Sequence, residues 1–415
     1  MRIAIVGAGV SGLTAAYLLH PYHEVTLYEA QARLGGHAHT VCVEVENRDY
    51  HVDTGFLVYN DQTYPLFIRL LDKLGVATKQ SEMSFSYTDS LTGLEWKGST
   101  LNTIFAQRRN LVRPRFLRML WHIMTFNRSL RRMLDDEFST TITIGELLRQ
   151  RSWGREFRDW YLVPMGAAIW SANPESFLEM PARTFAEFFQ RHGLLSVRNR
   201  PEWRTIEGGS KTYVEAIESR LRAHGKVATS APVTGVRRVD EGVEVVTDDG
   251  REVFEHVIVA CHSDDALSLL AEPTRDETRI LGAIRYQPNE VTLHWDTSLL
   301  PRQRRAWAAW NYRRAGSGSP LATLTYNISA LQSISAPREF LVTLNGDEEI
   351  DDAKVIARFR YEHPVLDGAT VAAQRERALL QSDRLSFCGA YLGYGFHEDG
   401  VRSAFEACLR LGVSW

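Results

Sequence analysis

Three glycines near the start of the chain are spaced to receive a phosphate. Gly7-Ala8-Gly9-Val10-Ser11-Gly12 stands between a short apolar run, Arg2 to Val6, and a helical stretch from Leu13 to Leu19. In that setting Gly7 permits a tight turn, Gly9 lets the backbone approach a pyrophosphate, and Gly12 lets the helix pack close to the strand. The free N–H groups of the first helical turn, at Val10 and Ser11, and the aligned peptide dipoles then favour negative charge. A second strand pattern, Glu24 to Tyr28, leads into Glu29, 17 residues past Gly12, where a carboxylate accepts hydrogen bonds from ribose hydroxyls. The chemistry these residues imply is dinucleotide binding by a βαβ unit.

The segment beginning at Glu29 narrows the nucleotide. Glu29-Ala30-Gln31-Ala32-Arg33-Leu34-Gly35-Gly36-His37 carries the pattern E-A-x-x-R-L-G-G. It resembles the extended motif of the flavin-containing amine oxidase superfamily, which includes protoporphyrinogen oxidases and phytoene desaturases. The resemblance implies FAD, with Ala30, Arg33, Gly35, Gly36 and His37 along its diphosphate and ribitol. Physically, two adjacent glycines and Arg33 can bring N–H groups and a positive charge to phosphate oxygens.

Three later segments match the same family in order. Asp53-Thr54-Gly55-Phe56, inside Val52 to Asn60, resembles the D-x-G segment that passes beside the isoalloxazine ring, with Thr54, Gly55 and Phe56 in contact. Glu207-Gly208-Gly209-Ser210-Lys211 opens a helical stretch to about His224; then come Val233 to Val236, a hairpin turning at Asp248-Asp249-Gly250, and an apolar strand from Val257 to Ala260. The resemblance places Val233 at the adenine and Ala260 against the dinucleotide. The last segment, Phe387 to Val401 with a helix expected over Arg402 to Leu411, resembles the C-terminal FAD motif and implies contacts from Gly389, Gly400 and Val401. Two positions depart from the pattern: Cys261-His262 replaces Thr-Gly or Thr-Pro, and Ala390 stands where many relatives carry an acid.

The expected fold is α/β, a Rossmann-like FAD-binding domain of the amine oxidase (GR2) type with an inserted α+β substrate domain. Residues 1–60, 206–270 and 381–415 form the discontinuous first domain, and 61–205 and 271–380 the second. No second glycine fingerprint offers a seat for NAD(P), so electrons are expected to come from the substrate.

Composition bounds the rest. A chain of 415 residues has room for two cores, 44% hydrophobic and 24% charged residues are ordinary for a globular protein, and a net charge of -3 exerts no global pull on nucleic acid. The four cysteines, Cys42, Cys261, Cys388 and Cys408, show no metal-ligand spacing and are read as reduced core residues. The N-terminus runs directly into a strand, without a signal peptide's regions, so a cytoplasmic location is expected, with attachment to the inner face of the membrane open.

Between Trp96 and Leu134 there are eight arginines and no acid, interleaved with Phe105, Leu111, Phe116, Leu120, Trp121, Ile123, Met124 and Phe126. Such a segment forms either an amphipathic helix packed on the core or one lying in a bilayer interface. Leu162 to Ser171, apolar and rich in small residues, reads as a buried helix or the lining of an apolar tunnel.

Across Gly393 to Gly400 and Ala306 to Tyr312 the chain is most similar to a bacterial branch of the superfamily that accompanies cyclopropane-fatty-acid-synthase-like methyltransferases. That resemblance implies desaturation of a methylated, unsaturated acyl chain of a membrane phospholipid, as in furan fatty acid formation, by hydride transfer to flavin N5. Candidate catalytic residues are Tyr59, Asn60, Tyr391, His397 and Glu398, which flank the cofactor-approaching glycines and carry protons. Two alternatives stand beside this reading. One is an amine oxidase, although the strand from Asn289 to Trp295 lacks the lysine many of those enzymes keep there; the other is a flavin-binding scaffold without turnover.

Overall fold

The computed structural model describes residues 1–135, 142–151, 153–195, 201–314 and 323–415. Its first sheet has five parallel strands in the order Lys226–Ala228, Glu24–Tyr28, Arg2–Val6, His256–Val259, Leu385–Phe387. Arg2–Val6 lies in the middle and is covered on both faces, which is why it reads Ile-Ala-Ile-Val without polar alternation. Ile3 and Ile5 face the helices Val10–Leu19, Lys211–His224 and His397–Arg410. Ala4 and Val6 face a three-stranded antiparallel sheet, Val233–Val239, Gly242–Thr247 and Gly250–Phe254. The helix Pro65–Leu74 packs in the same apolar cluster as Ile3 and Ile5.

Most of the expected elements form. The stretch ending at His224 is one helix, and Thr247 pairs with Gly250 across the Asp248-Asp249 turn. The last helix begins at His397, five residues before the expected Arg402. Asp399 accepts from the N–H groups of Tyr394 and Phe396 at 3.0 Å each and so closes the helix start early. Gly400, read as the end of a loop, sits in the first turn because that turn presses on Val10–Leu19. A Cβ there would lie 2.6 Å from Val10 Cγ1.

A seven-stranded sheet runs in the order Val355–Pro364, Tyr286–His294, Leu341–Leu344, Thr323–Asn327, Trp310–Arg314, Phe85–Asp89, Leu94–Lys97. Its apolar side carries the aromatic core. The basic segment divides into a short helix Leu101–Ile104, a 3-10 turn Arg108–Val112 and a long helix Pro114–Asp135. Phe116, Met119, Phe126, Leu130 and Met133 recur on one face of that helix and are buried, so this stripe is a core stripe. The small-residue stretch forms the helix Val163–Trp170, held against the core where Gly166 meets the ring of Phe177.

The cysteines are all free, but Cys42 is exposed rather than in the core. It alternates with buried Val43 on the two-stranded ladder Thr40–Val45 with Arg48–Asp53 and takes the solvent side. Among the described residues no helix is long and apolar enough to cross a membrane.

Candidate dinucleotide and redox site

The glycine turn is built as its spacing requires. Gly7 takes a positive φ of 100° and donates its N–H to Tyr28 O at 2.8 Å. A Cβ on Gly12 would sit 1.8 Å from Gly7 O and 3.3 Å from the Ala260 methyl, so only hydrogen fits between helix and strand. At Gly9 a Cβ would meet no protein atom within 4 Å. The turn is therefore packed on its protein side and open where a phosphate would approach.

Other segments converge on the same point. Gly35 donates to Ala8 O at 2.8 Å, and a Cβ on Gly36 would lie 3.2 Å from Gly9 Cα. Arg33 donates to Gly36 O at 2.8 Å; burial lowers its guanidinium pKa, a cost that an anion alongside would offset. Glu29 accepts from the N–H of Ala8 at 2.8 Å and from Gln31 at 2.9 Å, which orients the carboxylate and leaves lone pairs for a ribose. Ala231 N–H donates to Glu29 O at 2.9 Å, bringing the chain that leads to Val233 beside the acid, with Ala30 exposed next to it. Gly389 donates to Ser403 Oγ at 2.9 Å at the start of the C-terminal loop, and Val401 is fully buried below Gly400.

The segment expected beside the flavin is stitched to the phosphate-side segment. Phe56 N–H donates to His37 O at 2.8 Å, Thr54 N–H donates to His39 O at 2.9 Å, and a Cβ on Gly55 would lie 2.2 Å from His37 O. Buried Asp53 anchors this arrangement. It accepts from Thr40 Oγ1 at 2.6 Å and from the N–H and Oγ of Ser210 at 2.9 and 2.8 Å; burial pushes its pKa up to about 6.

Beside these segments the structure gathers imidazoles and phenols. His37 has its ring centroid 5.0 Å from Tyr361, 5.3 Å from His363 and 6.0 Å from His262. The Tyr361 hydroxyl lies 2.8 Å from both Thr54 Oγ1 and His39 Nδ1. His262 stacks on Tyr286 at 4.4 Å. Burial holds His37 well below the ordinary imidazole range, and neighbouring imidazoles and Arg33 lower it further. Burial likewise pushes His363 down to about 4 and His397 to about 3. His37 Nε2 is buried and meets no protein hydrogen-bond partner among the described residues.

The five expected catalytic residues fall in different places. His397 lies flat on Phe56, centroids 3.5 Å apart, with Nε2 3.1 Å from the Tyr213 hydroxyl. Tyr59 joins this group through Phe67, 5.4 Å from each ring. Asn60 turns its Oδ1 to the N–H groups of Gln62 and Thr63 at 3.0 and 2.9 Å, a turn-forming contact. Glu398 accepts from Leu66 and Phe67 N–H at 3.2 and 2.9 Å and so caps the helix Pro65–Leu74. Tyr391 is buried on the other side of the parallel sheet, its hydroxyl without a partner among the described residues.

His39, Tyr213, Tyr286, Tyr361 and His363 join the site without being expected from the sequence. A signal was present for one pair: Tyr361 and His363 stand i, i+2 on the strand Val355–Pro364, a spacing that turns both side chains to one face.

These residues fit a dinucleotide: a glycine turn packed at Gly12 and Gly36 but open at Gly9, an oriented acid where a ribose would lie, and a partly buried arginine bonded to Gly36 beside the turn. A profile of the family described as flavin containing amine oxidoreductase matches residues 10–411. Over 76 residues, 18% of this chain and 15% of the relative, the sequence is 42% identical to a zeta-carotene desaturase of Synechocystis sp.. The match thus spans a small part of that relative's length. Two solved structures share the fold over 99% of this chain and 98% of theirs: a CLA-producing fatty acid isomerase from P. acnes (TM-score 0.71, 14% identity) and a cyclohexylamine oxidase from Brevibacterium oxydans (TM-score 0.68, 15% identity).

Proposed function

The chain belongs to the flavin-containing amine oxidoreductases and is an FAD-dependent oxidoreductase; on that premise we propose that it desaturates an apolar substrate, a methylated unsaturated fatty acyl chain of a membrane phospholipid. FAD, when bound, supplies a two-electron acceptor. The residues that would hold it are Gly7, Gly9, Gly12, Glu29, Arg33, Gly36 and Gly400.

The observation that carries this reading is electrostatic. The imidazoles of His37, His363 and His397 are kept neutral by burial, and among the described residues no carboxylate acts on any of the three to offer an ammonium a counter-charge. An ammonium group is disfavoured there, whereas a neutral chain pays no such penalty. Phe396, Phe188 and Trp170 form a row of packed rings running from the C-terminal segment into the aromatic core, with centroids 5.3 and 4.7 Å apart. The unpartnered His37 Nε2 is the group best placed to accept a proton as a carbon–carbon double bond forms. The desaturase and fatty acid isomerase among the similar proteins fit a lipid substrate. In this proposal a cyclopropane-fatty-acid-synthase-like methyltransferase makes the methylated chain that this protein consumes.

Anaerobic titration tests it. Bleaching of the flavin by phospholipids with methylated unsaturated chains is the expected result. Bleaching by amines alone would establish an amine oxidase in its place.

A further inference from the structure

The segment with the most exposed apolar side chains shares no residue with the redox site. Of the twelve large hydrophobic residues exposed among the described ones, six fall between residues 101 and 124: Leu101, Leu111, Val112, Leu117, Trp121 and Met124. Val112 is 82% exposed and Leu101 76%. Leu117, Trp121 and Met124 stand at i, i+4, i+7 on the helix Pro114–Asp135, on the outer face, since Phe116, Met119 and Phe126 take the core side. The helix thus has two apolar stripes, and only one is accounted for by packing. The outer stripe continues into exposed Arg128 and Arg131, and no acidic residue occurs from 96 to 134.

A cleft of about 820 Å³ adjoins this face, lined by Arg108, Arg109, Arg302, Arg305 and Arg313. Its two carboxylates are turned inward. Glu95 accepts from the N–H groups of Arg302 and Gln303 at 2.9 and 3.0 Å, and Asp89 from that of Leu91 at 2.9 Å. Arg313 pairs with Glu349 at 2.9 Å. Arg302 and Arg305 are exposed and make no ion pair among the described residues.

We propose that this face docks on an anionic phospholipid bilayer. The side chains of Leu111, Val112, Leu117, Trp121 and Met124 enter the boundary between headgroups and acyl chains, and the arginine cleft takes headgroup phosphates. A bilayer suits the pattern better than a protein partner because protein interfaces deplete charge at their centre, whereas a headgroup layer offers phosphate beside every apolar insertion. The proposal rests on the acyl-lipid reading for its purpose, while its test does not depend on turnover.

The FAD-loaded protein is sedimented with vesicles of phosphatidylcholine containing 30% phosphatidylglycerol, and with pure phosphatidylcholine. The expected result is binding that is stronger to the anionic vesicles and weakens as salt rises from 0.1 to 0.5 M. Leu117→Ser/Trp121→Ser/Met124→Ser is expected to cut partitioning at least tenfold on both vesicle types. Arg302→Ala/Arg305→Ala is expected to cut anionic binding by about fivefold per arginine, leaving the weak binding to neutral vesicles. No binding by wild type, or equal binding by wild type and both variants, overturns the proposal. So does release by millimolar inorganic phosphate at constant ionic strength, which would make the cleft a free-anion site. Retained visible flavin absorbance shows that each variant is folded. If vesicle binding holds but lipid fails to bleach the flavin, the substrate reading fails and the docking face stands.

Discussion

Asn289 donates its Nδ2–H to Nδ1 of His363 at 3.1 Å, and a chain of hydrogen bonds leaves no other orientation. The N–H of Glu290 donates to Asn345 Oδ1 at 3.1 Å, so Asn345 must donate its Nδ2–H to Asn289 Oδ1, at 2.7 Å. Asn289 is then obliged to donate to His363, which places the proton of a neutral His363 on Nε2. His363 is therefore a hydrogen-bond donor at its Nε2, and its ring centroid lies 5.3 Å from that of His37, whose own Nε2 has no partner among the described residues.

Asn289→Asp reverses this polarity. A carboxylate against Nδ1 stabilises the imidazolium, so the titration of His363, held at about 4 by burial, moves up towards neutrality. NMR of the imidazole resonances over pH 3 to 8 checks it; an unchanged midpoint would refute the assigned tautomer.

His37→Gln removes the proposed proton acceptor and keeps a polar side chain. The rate of flavin reduction by a lipid substrate in stopped flow is expected to fall by about 10²–10⁴-fold. Flavin content per protein measured in the same samples separates this from loss of cofactor, and a rate within threefold of wild type would rule out His37 as the base.

Gly9→Ala and Gly12→Ala should fail differently. At Gly12 the added methyl collides with Gly7 O, and thermal unfolding should show a loss of about 3 kcal/mol or no folded protein. At Gly9 it meets no protein atom, so stability without FAD should stay within about 0.5 kcal/mol while FAD affinity falls at least tenfold. Equal FAD affinity of Gly9→Ala and wild type would remove the pyrophosphate from that side of the turn.

Glu398 makes stability depend on pH in the direction opposite to the buried histidines. Burial raises its carboxyl from 4.5 to about 7, so the folded state holds a proton the unfolded state has lost, and stability drains as pH rises from about 4.5 to 7. His363 and His397, lowered to about 4 and 3, contribute stability that is present above 6.5 and lost as pH falls from there. Glu398→Gln keeps one acceptor oxygen for the N–H groups of Leu66 and Phe67, losing the second at every pH alike, and has no proton to lose. Its Tm relative to wild type is expected to rise between pH 5 and pH 8, as differential scanning calorimetry would show; a constant difference would mean that Glu398 does not titrate in that range.

The nucleotide half was legible because its determinants are local. Gly7, Gly9 and Gly12 answer to one turn, Glu29 comes at a distance fixed by one helix and one strand, and Gly35-Gly36 lies just beyond. Each requirement is met within a few residues of chain, so spacing alone expresses it. The C-terminal helix start was misplaced for the complementary reason: Gly400 looks like a breaker in sequence, and only its contact with Val10 explains a glycine in a first helical turn.

By itself, then, the sequence determined a parallel α/β sheet, a dinucleotide turn and the residues that build its cradle. Tertiary structure alone decided the redox side. Tyr361 and His363 stand more than 300 residues from His37 and meet it only because the seven-stranded sheet lays the strand Val355–Pro364 beside the glycine segment. It also decided which imidazoles stay neutral, since burial is a property of the packed core and not of any residue type, and which stripe of the Pro114–Asp135 helix is left facing out.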